Sequence, residues 1–87
     1  MSSLETQFQN AAQQIQNLSK KPSNEELLKL YSLYKQATIG DNNTIQPGFL
    51  DIKGKAKWAN WNELRGMSKT NAMNDYISLA QELKKKY

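Results

Sequence analysis

The sequence predicts an all-α domain built as a four-helix bundle. Three observations carry this: four segments place apolar residues at helical spacing, each segment opens on a recognisable start signal, and little β-branched content is left from which to build a sheet. The 87 residues make a single domain spanning 1–87, and one core must supply nearly all of its stability.

In the first segment Ser2 stands before Glu5 at capping-box spacing, and Leu4, Phe8, Ala11, Ala12, Ile15 and Leu18 fall on one stripe. Pro22-Ser23 followed by Glu26 repeats the signal for a second helix from about Ser23 to Ile39. Its stripe is Leu27, Leu30, Tyr31, Tyr34 and Ala37, and Gly40 stops it. From Gly40 to Leu50 the turn formers Asp, Asn, Pro47 and Gly48 indicate a long connection, of a length that usually packs or binds something. Asp51 caps a third, short helix expected to end at Gly66. Ser68 caps a fourth that carries Ala72, Met73, Tyr76, Ala80, Leu83 and Tyr87 on one face. Helices joined this way point to an antiparallel-type bundle.

Composition removes whole classes of chemistry. Cysteine and histidine are both absent, which excludes thiol nucleophiles, disulfides, His-ligated zinc and the usual general base of hydrolytic triads. No metal site and no catalytic residue is expected. The first residues lack the basic and apolar regions of a signal peptide, residue 2 is Ser and not the Gly of a myristoylation signal, and no apolar run approaches a membrane span. The expected location is therefore cytoplasmic, without stable membrane insertion. The net charge of +4 favours anionic partners. Lys84-Lys85-Lys86 explains part of it as a solvated last turn favoured by the helix dipole.

Two surfaces stand out. On the second helix Lys35 follows Tyr31 by four residues and Tyr34 by one, placing phenol rings and an ammonium on adjoining surface. On the third, Lys53 and Lys57 share a face while Lys55 lies nearly opposite. Taken singly, each is ordinary: tyrosines at helical spacing pack in cores, and lysine pairs line solvated helices. Together they supply stacking surface and compact cations, which an adenine nucleotide with several phosphates requires. Either Trp58 or Trp61 could also stack, but their spacing beside Leu64 favours packing for both.

Pro22 to Gly40 reads PSNEELLKLYSLYKQATIG, and these nineteen consecutive positions resemble the signature of acyl-CoA-binding proteins, also called diazepam-binding inhibitor. The resemblance continues through Pro47-Gly48, GKAKWANWNEL from Gly54 to Leu64, and ELKKKY from Glu82 to Tyr87. It implies an up-down-down-up bundle that holds long-chain fatty acyl-CoA esters without covalent chemistry, as a monomeric carrier and pool former with no cofactor. It also implies roles. Tyr31, Lys35 and Lys57 would contact the 3′-phosphate, Tyr34 the adenine and Tyr76 the thioester end, with Lys53 also touching ligand. Ser32 and Leu33 fall within the same implied acyl-CoA-binding stretch. The acyl chain would follow Ala12, Leu27, Leu28 and Ala56. One departure is Gln16, where many relatives present a basic residue to the nucleotide; a contact is lost there or replaced by an amide hydrogen bond.

Rival readings fit less well. A helix-turn-helix nucleic-acid binder joins its helices by three or four residues, far fewer than Gly40 to Leu50 provides, so no nucleic-acid partner is expected. A thioesterase would have Glu25, Glu26 and Asp75 but no histidine, cysteine or nucleophile elbow. A calcium loop starting at Asp41 would need glycine at Gln46 and glutamate at Ile52.

Overall fold

The computed structural model describes residues 3–87. Four helices run in order: α1 (Leu4–Gln16), α2 (Asn24–Thr38), α3 (Ile52–Asn62) and α4 (Lys69–Lys86). Among the described residues there is no strand.

Each helix starts where a side chain satisfies an otherwise unpaired N–H. Ser23 Oγ accepts from Glu26 N while Glu26 Oε1 accepts from Ser23 N at 2.8 Å, a complete capping box. Ser68 caps α4 through Asn71 N at 3.0 Å. Asp51 Oδ1 caps α3 through Gly54 N at 3.0 Å, and a Cβ at residue 54 would displace the capping Asp51 carboxylate. The cap of α1 is Ser3, whose Oγ accepts from Thr6 N. The spacing assigned to Ser2 lies outside the described residues. The second helix matches its expected span, and Gly40 ends it at φ +98, in the left-handed region.

The third helix is shorter than its pattern suggested. It stops at Asn62, and the chain tightens into i→i−3 turns, with Leu64 N bonded to Trp61 O and Arg65 N to Asn62 O, before Gly66 turns it at φ +95. The Asp51 start agrees with the expectation, but the helix ends four residues before Gly66.

Side-chain bonds fix the topology. Lys84 Nζ donates to Gln14 Oε1 at 3.0 Å, so the C-terminal ends of α1 and α4 lie together and the two run parallel. Tyr87 Oη donates to Glu26 Oε1 at 2.6 Å and Gln36 Nε2 to Met67 O at 2.8 Å, so α2 runs against α4. Leu27 and Leu28 share a trough with Ile52 and Ala56, while Trp61 Nε1 reaches Gly40 O at 2.9 Å, so α2 and α3 are parallel. The order is up-down-down-up. In backbone packing α1 lies on α4 and α2 lies on α4 and α3, while α1 and α2 meet through side chains such as Phe8 and Tyr34.

The core gathers Phe8 and Ala11 of α1, Leu30, Leu33 and Ala37 of α2, and Ala72, Tyr76, Leu79, Ala80 and Leu83 of α4. Leu33 and Leu79 are additions to the expected stripes. Both tryptophans lie outside this central cluster, and the packing expected for them is found at Trp61 and only in part at Trp58. Trp61 is buried but Trp58 is only half-buried. Both are clamps on the α2–α3 connection: Trp58 Nε1 donates to Thr44 O at 3.0 Å, and Trp61 Nε1 to Gly40 O.

Buried polar groups complete that clamp. Asn42 Oδ1 accepts from Thr44 N at 2.9 Å, its Nδ2 donates to Trp58 O at 3.3 Å, and its carbonyl accepts from Arg65 Nη2 at 2.6 Å. Asp41 Oδ1 accepts from Gln36 Nε2 at 2.9 Å and Gly66 N at 2.8 Å; these bonds, the Gly66 amide first, hold its carboxyl below the usual range. Of the Asp41-Asn42-Asn43 run that invited a calcium reading, Asp41 Oδ1 and the Asn42 oxygens take part in loop closure.

Candidate acyl-CoA trough

Helix α2 is the spine of the site. Its capping box and Gly40 stop fix the register, and Tyr31 and Lys35, one turn apart, then share a face. From α3, Lys57 reaches the same ring: its Nζ lies 5.3 Å from the Tyr31 centroid, and Lys35 Nζ lies 5.8 Å from it. Lys35 Nζ also lies 5.7 Å from the ring of Trp61, which was assigned only to packing. Such contacts hold an ammonium for about 0.5–1 kcal/mol at exposed sites. Among the described residues the ion pair of Lys86 with Glu26 involves none of Lys35, Lys53 and Lys57, and these three have no carboxylate partner of their own. Two cations sharing one aromatic ring without a counter-charge are arranged for an anion from outside the chain.

A second aromatic group adjoins the first. Phe8, Tyr34 and Tyr76 meet with centroid separations of 5.3 Å (Phe8–Tyr34), 5.1 Å (Phe8–Tyr76) and 6.1 Å (Tyr34–Tyr76), tilted or edge-on as aromatic quadrupoles prefer. Phe8 and Tyr76 are buried, while Tyr34 keeps 38% of its surface open. Burial, then the neighbouring Tyr34, pushes the Tyr76 hydroxyl up to about 12, so it remains a neutral hydrogen-bonding group at physiological pH.

Because α1 and α2 do not pack along their length, a trough of about 630 Å³ opens between them. Ala12, Ile15 and Gln16 line one wall, Leu27, Leu30, Tyr31 and Tyr34 the other, with Tyr76 beneath. A second trough of about 420 Å³ lies between α2 and α3, lined by Lys21, Leu27, Leu28, Ile52, Lys53, Ala56 and Lys57. The two lie on either side of α2 and share Leu27.

Of the residues singled out from the sequence, Ala12, Gln16, Leu27, Tyr31, Tyr34 and Tyr76 meet in the first trough. Leu27, Leu28, Lys53, Ala56 and Lys57 meet in the second; Lys35 lines neither, but its Nζ lies 5.8 Å from the ring of Tyr31, which lines the first. Ser32 and Leu33 do not join them. Both are buried on the far side of α2, where Ser32 Oγ donates to Lys29 O and the nearest hollow, about 320 Å³, is edged by Asp75 and Glu82. Those carboxylates would repel a polyanion. Residues 32 and 33 lie between Tyr31 and Tyr34 in sequence, but a helix turns them about 100° per residue away.

Sequence reasoning missed Phe8, Lys21, Ile52 and the Lys35–Trp61 contact as parts of this region. Phe8 was legible as core, and its place under Tyr34 needs the α1–α2 crossing that no local pattern encodes. Among the described residues no group of side chains could hold a metal ion, and no helix is long and apolar enough to cross a membrane.

Comparison with known proteins agrees with this geometry. An acyl-CoA-binding protein homolog from Caenorhabditis elegans is 51% identical over 80 residues, 92% of this chain and 93% of that protein. A homolog from Drosophila melanogaster is 49% identical over 81 residues, 93% of this chain and 94% of that protein. Among solved structures, acyl-CoA-binding protein 2 of Oryza sativa superposes with a TM-score of 0.92 at 40% identity, covering 95% of this chain and 90% of that one. Residues 5–80 match the Acyl CoA binding protein family, and over nearly its whole length the chain belongs to it.

Proposed function

We propose that the protein binds long-chain fatty acyl-CoA esters non-covalently in the troughs on either side of α2 and serves as a monomeric carrier and pool former for them in the cytoplasm. The observation that carries the reading is the adjacency of the Lys35–Tyr31–Lys57 group to troughs with apolar walls on both sides of Leu27. Coenzyme A brings about four negative charges near neutral pH, two of them nearly supplied by its 3′-phosphate. Lysines without counter-ions meet that charge, and the half-open ring of Tyr34 offers the adenine a stacking face.

Affinity has a different origin. The cations lie in contact with water, where each pair is screened, while each buried methylene contributes about 0.8 kcal/mol. A long acyl chain laid along Ala12, Leu27, Leu28 and Ala56 therefore supplies most of the binding free energy, and the head group supplies identity. The reaction is reversible sequestration and needs no catalytic group. Native mass spectrometry of the protein purified from cells should reveal one long-chain acyl-CoA per chain, and calorimetry should give weak binding of free coenzyme A. Equal affinities for coenzyme A and its palmitoyl ester would overturn the division between head and tail.

A further inference from the structure

The α2–α3 trough has an apolar floor and a charged end. Leu27, Leu28, Ile52 and Ala56 form the floor. Because α2 and α3 run parallel, Asn24, the first residue of α2, and Ile52 and Lys53, the first two of α3, mark the same end of the trough. Lys21, just ahead of α2, lines that end too. Lys57 stands one turn beyond Lys53, toward the other end, where it faces the ring of Tyr31.

Among the described residues neither Lys21 nor Lys53 has a carboxylate partner. The acidic residues at the same helix ends are not available to them: Glu26 is bonded to Tyr87, Ser23 and Lys86, Asp51 caps α3, and Glu25 does not line the trough. Chain length brings the end of a ligand here. Ten residues separate Asn24 from Tyr34, which adjoins Tyr76. That is about 15 Å of helix rise, which a fully extended chain spans in roughly twelve bonds. With the thioester at Tyr76 and an oblique crossing over Leu27, a chain of about sixteen carbons therefore ends among Lys21, Asn24 and Lys53. A methyl group gains nothing from two ammonium groups; a carboxylate gains charge-assisted hydrogen bonds.

We propose that the protein also carries acyl-CoA esters with a free carboxylate at the ω end, the mono-CoA esters of long-chain dicarboxylic acids. Lys21 and Lys53 pair with that carboxylate, and the Asn24 amide lies beside them. Both lysines are exposed, so the carboxylate keeps part of its water while the methylenes before it are covered by the trough floor. This spares it the cost of burying a charge. The inference rests on the acyl-CoA reading and widens the class of ligand that the same trough takes.

Calorimetry would compare palmitoyl-CoA, 16-hydroxypalmitoyl-CoA and the mono-CoA ester of hexadecanedioic acid on wild type and on Lys21→Gln/Lys53→Gln, as a cycle between residues and ligand group. Wild type should bind the dioic ester within about threefold of palmitoyl-CoA, and the variant should widen that gap by about fivefold, the effect of two exposed ion pairs. The hydroxy ester should keep the same gap in both proteins. An unchanged gap for the dioic ester would overturn the pairing. So would rejection of the dioic ester by wild type beyond about tenfold, or an equal widening for the hydroxy ester, which would mean a general loss of polar tolerance. Palmitoyl-CoA separates the two readings: if wild type binds it tightly, those results strike only the ω-carboxylate site, and if wild type does not bind it, the acyl-CoA reading itself falls.

Discussion

Replacing Lys57 by Met tests whether the paired lysines recognise the 3′-phosphate or merely decorate a basic surface. The substitution keeps most of the aliphatic stem and removes the ammonium that lies 5.3 Å from the Tyr31 centroid. In the free protein it forfeits a cation–π contact of about 0.5–1 kcal/mol, but it also relieves repulsion from Lys35, which faces the same ring. The denaturation midpoint should therefore scarcely move. In the complex, a charge-assisted hydrogen bond to phosphate is worth about 1.5–3 kcal/mol when shielded, and an exposed pair about 0.2–1. Lys57 is exposed yet abuts the ring, so a loss of about 1.4 kcal/mol, tenfold in affinity, is expected. Calorimetry would use palmitoyl-CoA and the same ester lacking its 3′-phosphate, on wild type and variant, as a double-mutant cycle between residue and ligand group. The loss should shrink several-fold without the phosphate. Equal losses for both ligands would refute the placement and reduce Lys57 to long-range charge.

Three further outcomes follow from the geometry. Phe8→Ala should lower the unfolding free energy by about 3–5 kcal/mol in chemical denaturation, whereas Tyr34→Ala, at a half-open ring, should chiefly lower ligand affinity; the reverse pattern would exchange core and site. Glu26 accepts bonds from Tyr87, Ser23 and Lys86, the Tyr87 hydroxyl mattering most, and its carboxyl is held down to about 2. A depressed folded pKa gives stability that is complete above the ordinary value of 4.5 and is lost as pH falls through 2, so urea midpoints should drop over that window and Glu26→Gln should flatten the drop. Gln16→Lys should tighten ester binding by about 0.5–1 kcal/mol, and the gain should vanish with the 3′-phosphate removed if residue 16 faces it.

Local chemistry was legible and distance was not. The caps at Ser23, Asp51 and Ser68 and the stop of α2 at Gly40 act within a few residues, so sequence alone located them. The end of α3 was misplaced because Glu63 to Gly66 has helical composition, and only the backbone reveals its tightening into i→i−3 turns. Gln36 is fully buried and Asn42 nearly so, against the usual habit of amides. Their partners, Met67 and Trp58, lie 31 and 16 residues away, so no pattern near them could announce the burial. The site divides the same way. Tyr31 and Lys35 share a helix face and could be paired by spacing, but their meeting with Lys57 and Trp61 depends on α2 and α3 running parallel. That orientation in turn requires the long connection, since parallel neighbours cannot be joined by a tight turn.

The same requirement links the loop to the ligand. Here the α2 backbone packs on α4 and α3, while α1 lays its backbone on α4 and reaches α2 through side chains. Troughs accordingly open on both sides of Leu27, one toward α1 and one at the seam with α3. By backbone packing α1 and α3 each have one neighbour, so an occupant of both troughs touches α1, α2 and α3 together and supplies contacts that the empty bundle lacks. Such an occupant couples binding to the docking of α1 and α3 against α2, so amides along α1 and α3 should gain more protection from hydrogen exchange on ligand addition than those of α4, which is packed against two helices already.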